Sequence, residues 1–102
     1  MSELGDKREI FTRCIYLLLQ KMYADGMRPR FDKEHCNHMK NSLHYDGLAK
    51  DILLFDKDNV YLTDTDSYRK YGIFWETLNK DCTWGGHFSD GNHFSITFQG
   101  RK

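Results

Sequence analysis

A chain of 102 residues is long enough to bury one hydrophobic core and too short for two, because domains commonly run to about 100–150 residues. Fifteen basic residues stand against fifteen acidic ones, so the chain lacks the cationic excess with which a nucleic-acid binder neutralises phosphates, and no nucleic acid is expected as a partner. No stretch approaches the ~20 apolar residues of a membrane span, and no basic patch precedes an apolar run and a small-residue cleavage site. The expectation is a single domain, made in the cytoplasm without a signal peptide or membrane span, and monomeric.

Residues 7–25 read as an amphipathic helix, since Ile10, Phe11, Cys14, Ile15, Leu18 and Met22 recur at three- and four-residue spacing while Lys7, Arg8, Arg13 and Lys21 lie elsewhere. Asp6 with Glu9 resembles a capping box, and Gly26 suits a left-handed C-terminal cap. Met27 to Ser42 is polar, weakly periodic and contains the only proline, Pro29, so a loop or short irregular helix is expected there. Leu48 to Phe55, the turn-forming Asp56, Asp58 and Asn59, and Val60 to Leu62 together predict a β-hairpin.

Thr63 to Asp66 supplies N-caps for a second helix over about residues 67–80, where Tyr68, Tyr71, Phe74, Trp75 and Leu78 keep helical spacing. Thr83-Trp84-Gly85-Gly86 predicts a sharp irregular connection. In the last element, Asn92 to Phe98, Phe94, Ile96 and Phe98 alternate with His93, Ser95 and Thr97, which turns His93 away from the core face. Cys14, Cys36 and Cys82 are odd in number and form no CxxC pair, so they are expected to be free thiols, with Cys14 packed in the core.

Catalytic zinc takes three protein ligands from His and carboxylate and leaves a fourth position open. The five histidines, His35, His38, His44, His87 and His93, are therefore weighed by the carboxylates near them. In Ser42-Leu43-His44-Tyr45-Asp46-Gly47-Leu48-Ala49-Lys50-Asp51, the glycine can bend the chain so that His44 and Asp51 reach one point. Asp51, among Ala49, Ile52, Leu53 and Leu54, is costly to bury as a lone charge and needs a metal, a basic partner or hydrogen bonds, unless it is an edge-strand charge facing water. In the stretch from Trp84 to Phe94, Asp90 precedes His93 by three residues across a glycine-containing turn, which can bring its carboxylate beside water at a metal site; Asp-Gly-Asn is also ordinary turn chemistry. His35-Cys36-Asn37-His38 offers ligand types but no second half for a four-ligand structural site, so a solvated helix or loop is its reading. There is no HExxH helix.

Taken in order, Ser42, His44, Gly47, Ala49 and Asp51, then Trp84, Gly85, Gly86 and Phe88, then Asp90, His93 and Phe94 resemble the signature of the zinc D-alanyl-D-alanine carboxypeptidase and L-alanyl-D-glutamate endopeptidase family, which includes bacteriophage endolysins. The resemblance runs from about Ser42 to the C-terminus. It implies an α+β fold with helices packed on one side of a small antiparallel sheet. It also implies one Zn2+ per chain held by His44, Asp51 and His93, with Asp90 as general base. The implied substrates are peptidoglycan stem peptides. Reaching the cell wall would then follow release through a membrane lesion; trimming of recycled muropeptides is the cytosolic alternative.

Two positions depart from that pattern. Many relatives carry an arginine on a strand ahead of Ser-x-His, whereas the stretch before Ser42 shows no clear strand, leaving Arg28 and Arg30 as the nearby replacements. After His-Phe stands Ser95 where relatives often have Glu. Arg28, Arg30, Ser42 and His87 are the candidates for binding substrate or oxyanion. A zinc-stabilised binding module, as in the hedgehog signalling domain, and a wall-binding domain without metal are the alternatives. Asp90 separates the first from an enzyme, because a module needs only the three ligands.

Overall fold

The computed structural model describes residues 3–33, 43–44 and 46–101. Helix α1 (Glu3–Ala24) is followed by strands β1 (Arg28–Phe31), β2 (Ala49–Phe55) and β3 (Tyr61–Leu62). Helix α2 (Thr65–Leu78), strand β4 (Cys82–Trp84), a 3-10 turn (Gly85–Phe88) and strand β5 (His93–Ile96) complete the chain. The fold is α+β, with two helices and an antiparallel sheet of five strands.

α1 begins one turn earlier than its apolar spacing predicts. Glu3 and Asp6 both fall in its first turn, so Asp6 complements the positive end of the helix dipole and is not the cap. Its C-terminus is as expected. Gly26 takes a φ of 83° while its N–H and that of Met27 donate back to the Tyr23 and Met22 carbonyls, the paired bonds of a Schellman ending. α2 is capped by Asp64, whose side chain accepts from the Ser67 N–H.

β2 is the central strand. β1 occupies one of its edges over residues 52–55, and the other edge is shared by β5, opposite residues 49–51, and β3, opposite 54–55. β4 closes the far side against β5. The predicted hairpin is β2–β3. The expected loop after Met27 is corrected to a strand: β1 lies at the sheet edge, where Pro29 is tolerated because an edge strand has one row of unpaired N–H groups. The expected irregular connection at Thr83-Trp84 is likewise β4, and only the two glycines leave it.

Both helices cover the sheet face that carries Ile52, Leu54, Phe94 and Ile96. Trp75 of α2 meets Phe11 of α1 and Phe94 of β5 edge to face, with ring centroids 5.7 and 5.8 Å apart, an arrangement aromatic pairs prefer. Its indole N–H is satisfied by the Thr83 and Ser95 carbonyls at 3.1 and 3.0 Å. Tyr68 is buried with its hydroxyl donating to the Leu62 carbonyl and accepting from the Leu54 N–H, which pins α2 to the β2–β3 end. Cys14 and Cys82 are both buried and free. No helix among the described residues is long and apolar enough to cross a membrane.

Candidate metal centre

The register of two strands creates the first half of the site. Asp51 on β2 stands directly opposite His93 on β5, and directly opposed residues project from the same face of a sheet. That face is the one turned away from the helices, so the period-two reading of His93 holds. His93 is nonetheless buried, because His44, Gly85 and Phe88 pack against it. His93 Nδ1 comes to 3.2 Å from Asp51 Oδ1.

The second half comes from a turn. Gly47 adopts a φ of 73°, a conformation that glycine takes without side-chain penalty. The turn is closed by Gly47 N–H on the His44 carbonyl and Leu48 N–H on the Leu43 carbonyl, at 3.2 and 2.9 Å. His44 is thereby returned to β2, with its Nε2 3.6 Å from the same Asp51 oxygen. Arg8 Nε donates to the Asp46 carbonyl and Arg101 Nη2 pairs with the Asp46 carboxylate, each at 2.6 Å, so α1 and the C-terminal segment both hold this turn.

One donor atom from each of His44, Asp51 and His93 lies within 4.8 Å of the others, and the three could hold a metal ion. The spacing tests that fit. Four-coordinate zinc with bonds of about 2.0–2.2 Å sets its ligand atoms about 3.3–3.6 Å apart, and the two separations at Asp51 Oδ1 are 3.2 and 3.6 Å. The longer one exceeds a hydrogen bond. His93 Nδ1 is the ring nitrogen that lies at Asp51 Oδ1, while its Nε2 is buried with no hydrogen-bond partner among the described residues. Two imidazoles and a carboxylate are a donor set suited to zinc and similar divalent ions. The side chains of His44 and His93 are 8% and 10% exposed and that of Asp51 25%, a sheltered site that solvent still reaches.

Asp90 borders this centre. Burial pushes its carboxyl above the usual carboxylate range; His93 and then His44 draw it back, while the charge of Asp51 adds to the rise. Its backbone is fixed at both ends, by its N–H on the Gly85 carbonyl at 2.8 Å and by its own carbonyl accepting the His93 N–H at 3.1 Å. The Trp84-Gly85-Gly86 pattern explains how this loop is held. A Cβ on Gly85 would come under 3.0 Å from both the Asp90 carbonyl and His93 Cβ, and a Cβ on Gly72 or Gly86 would strike the Trp84 ring. The Trp84 indole N–H reaches the Gly91 carbonyl at 2.7 Å. A large ring thus sits in a slot that only two glycines leave open, and the loop carrying Asp90 and His93 closes over it.

The remaining candidates lie further out. Arg28 and Arg30 stand opposite Phe55 and Leu53, on the same sheet face as Asp51. Arg30 donates to Asn59 Oδ1 at 2.7 Å and lies 3.9 Å over the Phe55 ring. His87 is exposed and is paired through Nε2 with Glu76 of α2 at 2.9 Å, so it is not brought to the three ligand residues. Ser42, His35, Cys36 and His38 fall outside the described residues. Sequence reasoning missed Glu76, which also accepts the Trp84 N–H at 3.0 Å, and the Arg8–Asp46–Arg101 clamp. No family model matches the chain, and no curated protein matches it.

Proposed function

We infer that this chain is a zinc-dependent peptidase acting on the short stem peptides of peptidoglycan, as its resemblance to that family implies. The observation that carries the reading is the convergence of His44 Nε2 and His93 Nδ1 on one oxygen of Asp51, with a fourth polar residue, Asp90, beside them. A zinc ion held by those three residues would polarise the scissile carbonyl and lower the pKa of the attacking water toward ~7.

The chain's own residues divide the remaining work. Asp90 is the general base: it takes the proton of the attacking water and passes it to the leaving amine, and a carboxyl whose proton affinity is raised by burial suits both transfers. The β2–β5 register sets Asp51 directly opposite His93, which keeps the carboxylate and the ring on one face of the sheet. Arg30 and Arg28, on the same face two and four residues further along the sheet, supply the positive charge for a substrate carboxylate. Reading the site as a binding module leaves Asp90 without a task, since three ligands suffice for stability.

The test is to incubate zinc-loaded protein with purified peptidoglycan and identify released fragments by mass spectrometry. The expected result is stem-peptide cleavage by the wild type and its loss in Asp90→Ala, which keeps one zinc per chain. General-base removal of this kind typically costs ~10²–10⁴-fold in rate. Zinc binding without any released fragment would favour the module.

A further inference from the structure

A cavity of about 190 Å³ opens beside Asp90 between the β3–α2 connection and the loop at 89–92. Tyr61, Thr63 and Thr65 form one wall and Ser89, Asp90 and Asn92 the other. Tyr68 also lines it, but its hydroxyl is committed to Leu54 and Leu62, which leaves the hydrogen bonding to the other hydroxyls and to the Asn92 amide. The Tyr61 ring stacks on Phe55 at 5.0 Å, and Phe55 carries Arg30, so this wall is braced from behind. Among the described residues no lysine, arginine or histidine lines the cavity, and the one carboxyl in its wall is that of Asp90.

This has a consequence for specificity, which rests on the peptidase reading. A base that hands its proton to the leaving amine must lie alongside the leaving group, and the concavity adjoining Asp90 is this groove. We propose that the groove is the leaving-group subsite and that it selects a leaving group whose nearest carboxyl is amidated or in peptide linkage, rejecting a free carboxylate. Hydroxyl and amide groups satisfy peptide N–H and C=O groups well. A free carboxylate there meets the like charge of Asp90, and no basic side chain among the described residues lines the groove to pair with it. The subsite accordingly favours cleavage inside a stem over removal of a terminal amino acid, and it orients any substrate carboxylate toward Arg28 and Arg30 instead.

The test uses two stem peptides that differ only in whether the residue after the scissile bond ends in a carboxylate or a carboxamide. With zinc-loaded protein, kcat/KM is expected to favour the carboxamide by about tenfold or more, and Thr63→Lys, which places a cation in the groove, is expected to narrow or invert that preference. Equal cleavage of the two peptides, or faster cleavage of the carboxylate, would overturn the proposal. If neither peptide is cleaved, the peptidase reading fails, and the same pair is titrated into the protein by NMR. Shifts of the Thr63, Ser89 and Asn92 amides with the carboxamide alone support the groove's selectivity; shifts with both peptides or with neither overturn it.

Discussion

Asp51 and His93 face one another across the β2–β5 ladder with Oδ1 and Nδ1 3.2 Å apart, so the candidate centre is a product of strand register. A slip of one residue in that pairing would send one of the two to the opposite face. The site therefore cannot exist without the sheet, whereas the sheet, built on Ile52, Leu54, Phe94 and Ile96, can exist without the site.

From this separation, Asp51→Asn is expected to fold and to bind zinc far more weakly. Losing an outer-shell partner typically costs ~10–100-fold in metal affinity, and loss of a direct ligand should exceed that. Competition against a chromophoric chelator measures it. Wild-type affinity in the variant would remove Asp51 from the ligand set.

The Trp84 slot makes a separate prediction about stability. Overpacking a core usually costs ~1–3 kcal/mol, and Gly72→Ala drives a backbone-anchored Cβ into the ring, which puts it at the upper end of that range. Urea unfolding should show the loss. Gly85→Ala should add a second effect, weakened zinc binding, because its Cβ presses on His93. An unchanged unfolding midpoint in both would mean that the slot is not filled by Trp84.

Much of this was legible beforehand for physical reasons. Apolar spacing exposed both helices, the Asp56–Asn59 turn marked the hairpin, and alternation around Phe94 and Ile96 put His93 on the far face. β1 was not legible because three of its four residues are exposed, so it carries no apolar alternation, and its proline argued for a loop. β4 is three residues long and runs into a glycine pair. That Asp51 lies in the central strand, and is no edge charge, depended on β1. The clamp of Arg8 and Arg101 on Asp46 joins three residues distant in sequence, and a single chain gives no local sign of it.

Tyr68→Phe tests how α2 is pinned. It removes the hydroxyl that bridges the Leu54 N–H and the Leu62 carbonyl. Leaving a buried donor unsatisfied costs ~1–3 kcal/mol, and chemical denaturation should report a loss of that order. A neutral substitution would show that water takes over the bridge.

Acid should unfold the chelated protein in a defined window. Lys7 beside Asp81, Tyr71 then Lys70 beside Asp25, and Ser67 beside Asp64 hold these three carboxyls below their ordinary value. A depressed folded pKa gives stability that is present above the unfolded value of ~3.9 and lost as pH falls through the folded one. The melting temperature should thus hold above about pH 5 and drop below ~4, with a shallower drop in Asp81→Asn. A melting temperature indifferent to pH across that window would contradict this.

The most direct measurement is anomalous diffraction at the zinc edge from crystals of zinc-loaded protein. One peak per chain is predicted, within about 2.0–2.2 Å of His44 Nε2, Asp51 Oδ1 and His93 Nδ1 together. A peak elsewhere, or one that touches fewer than all three of these atoms, would contradict the account.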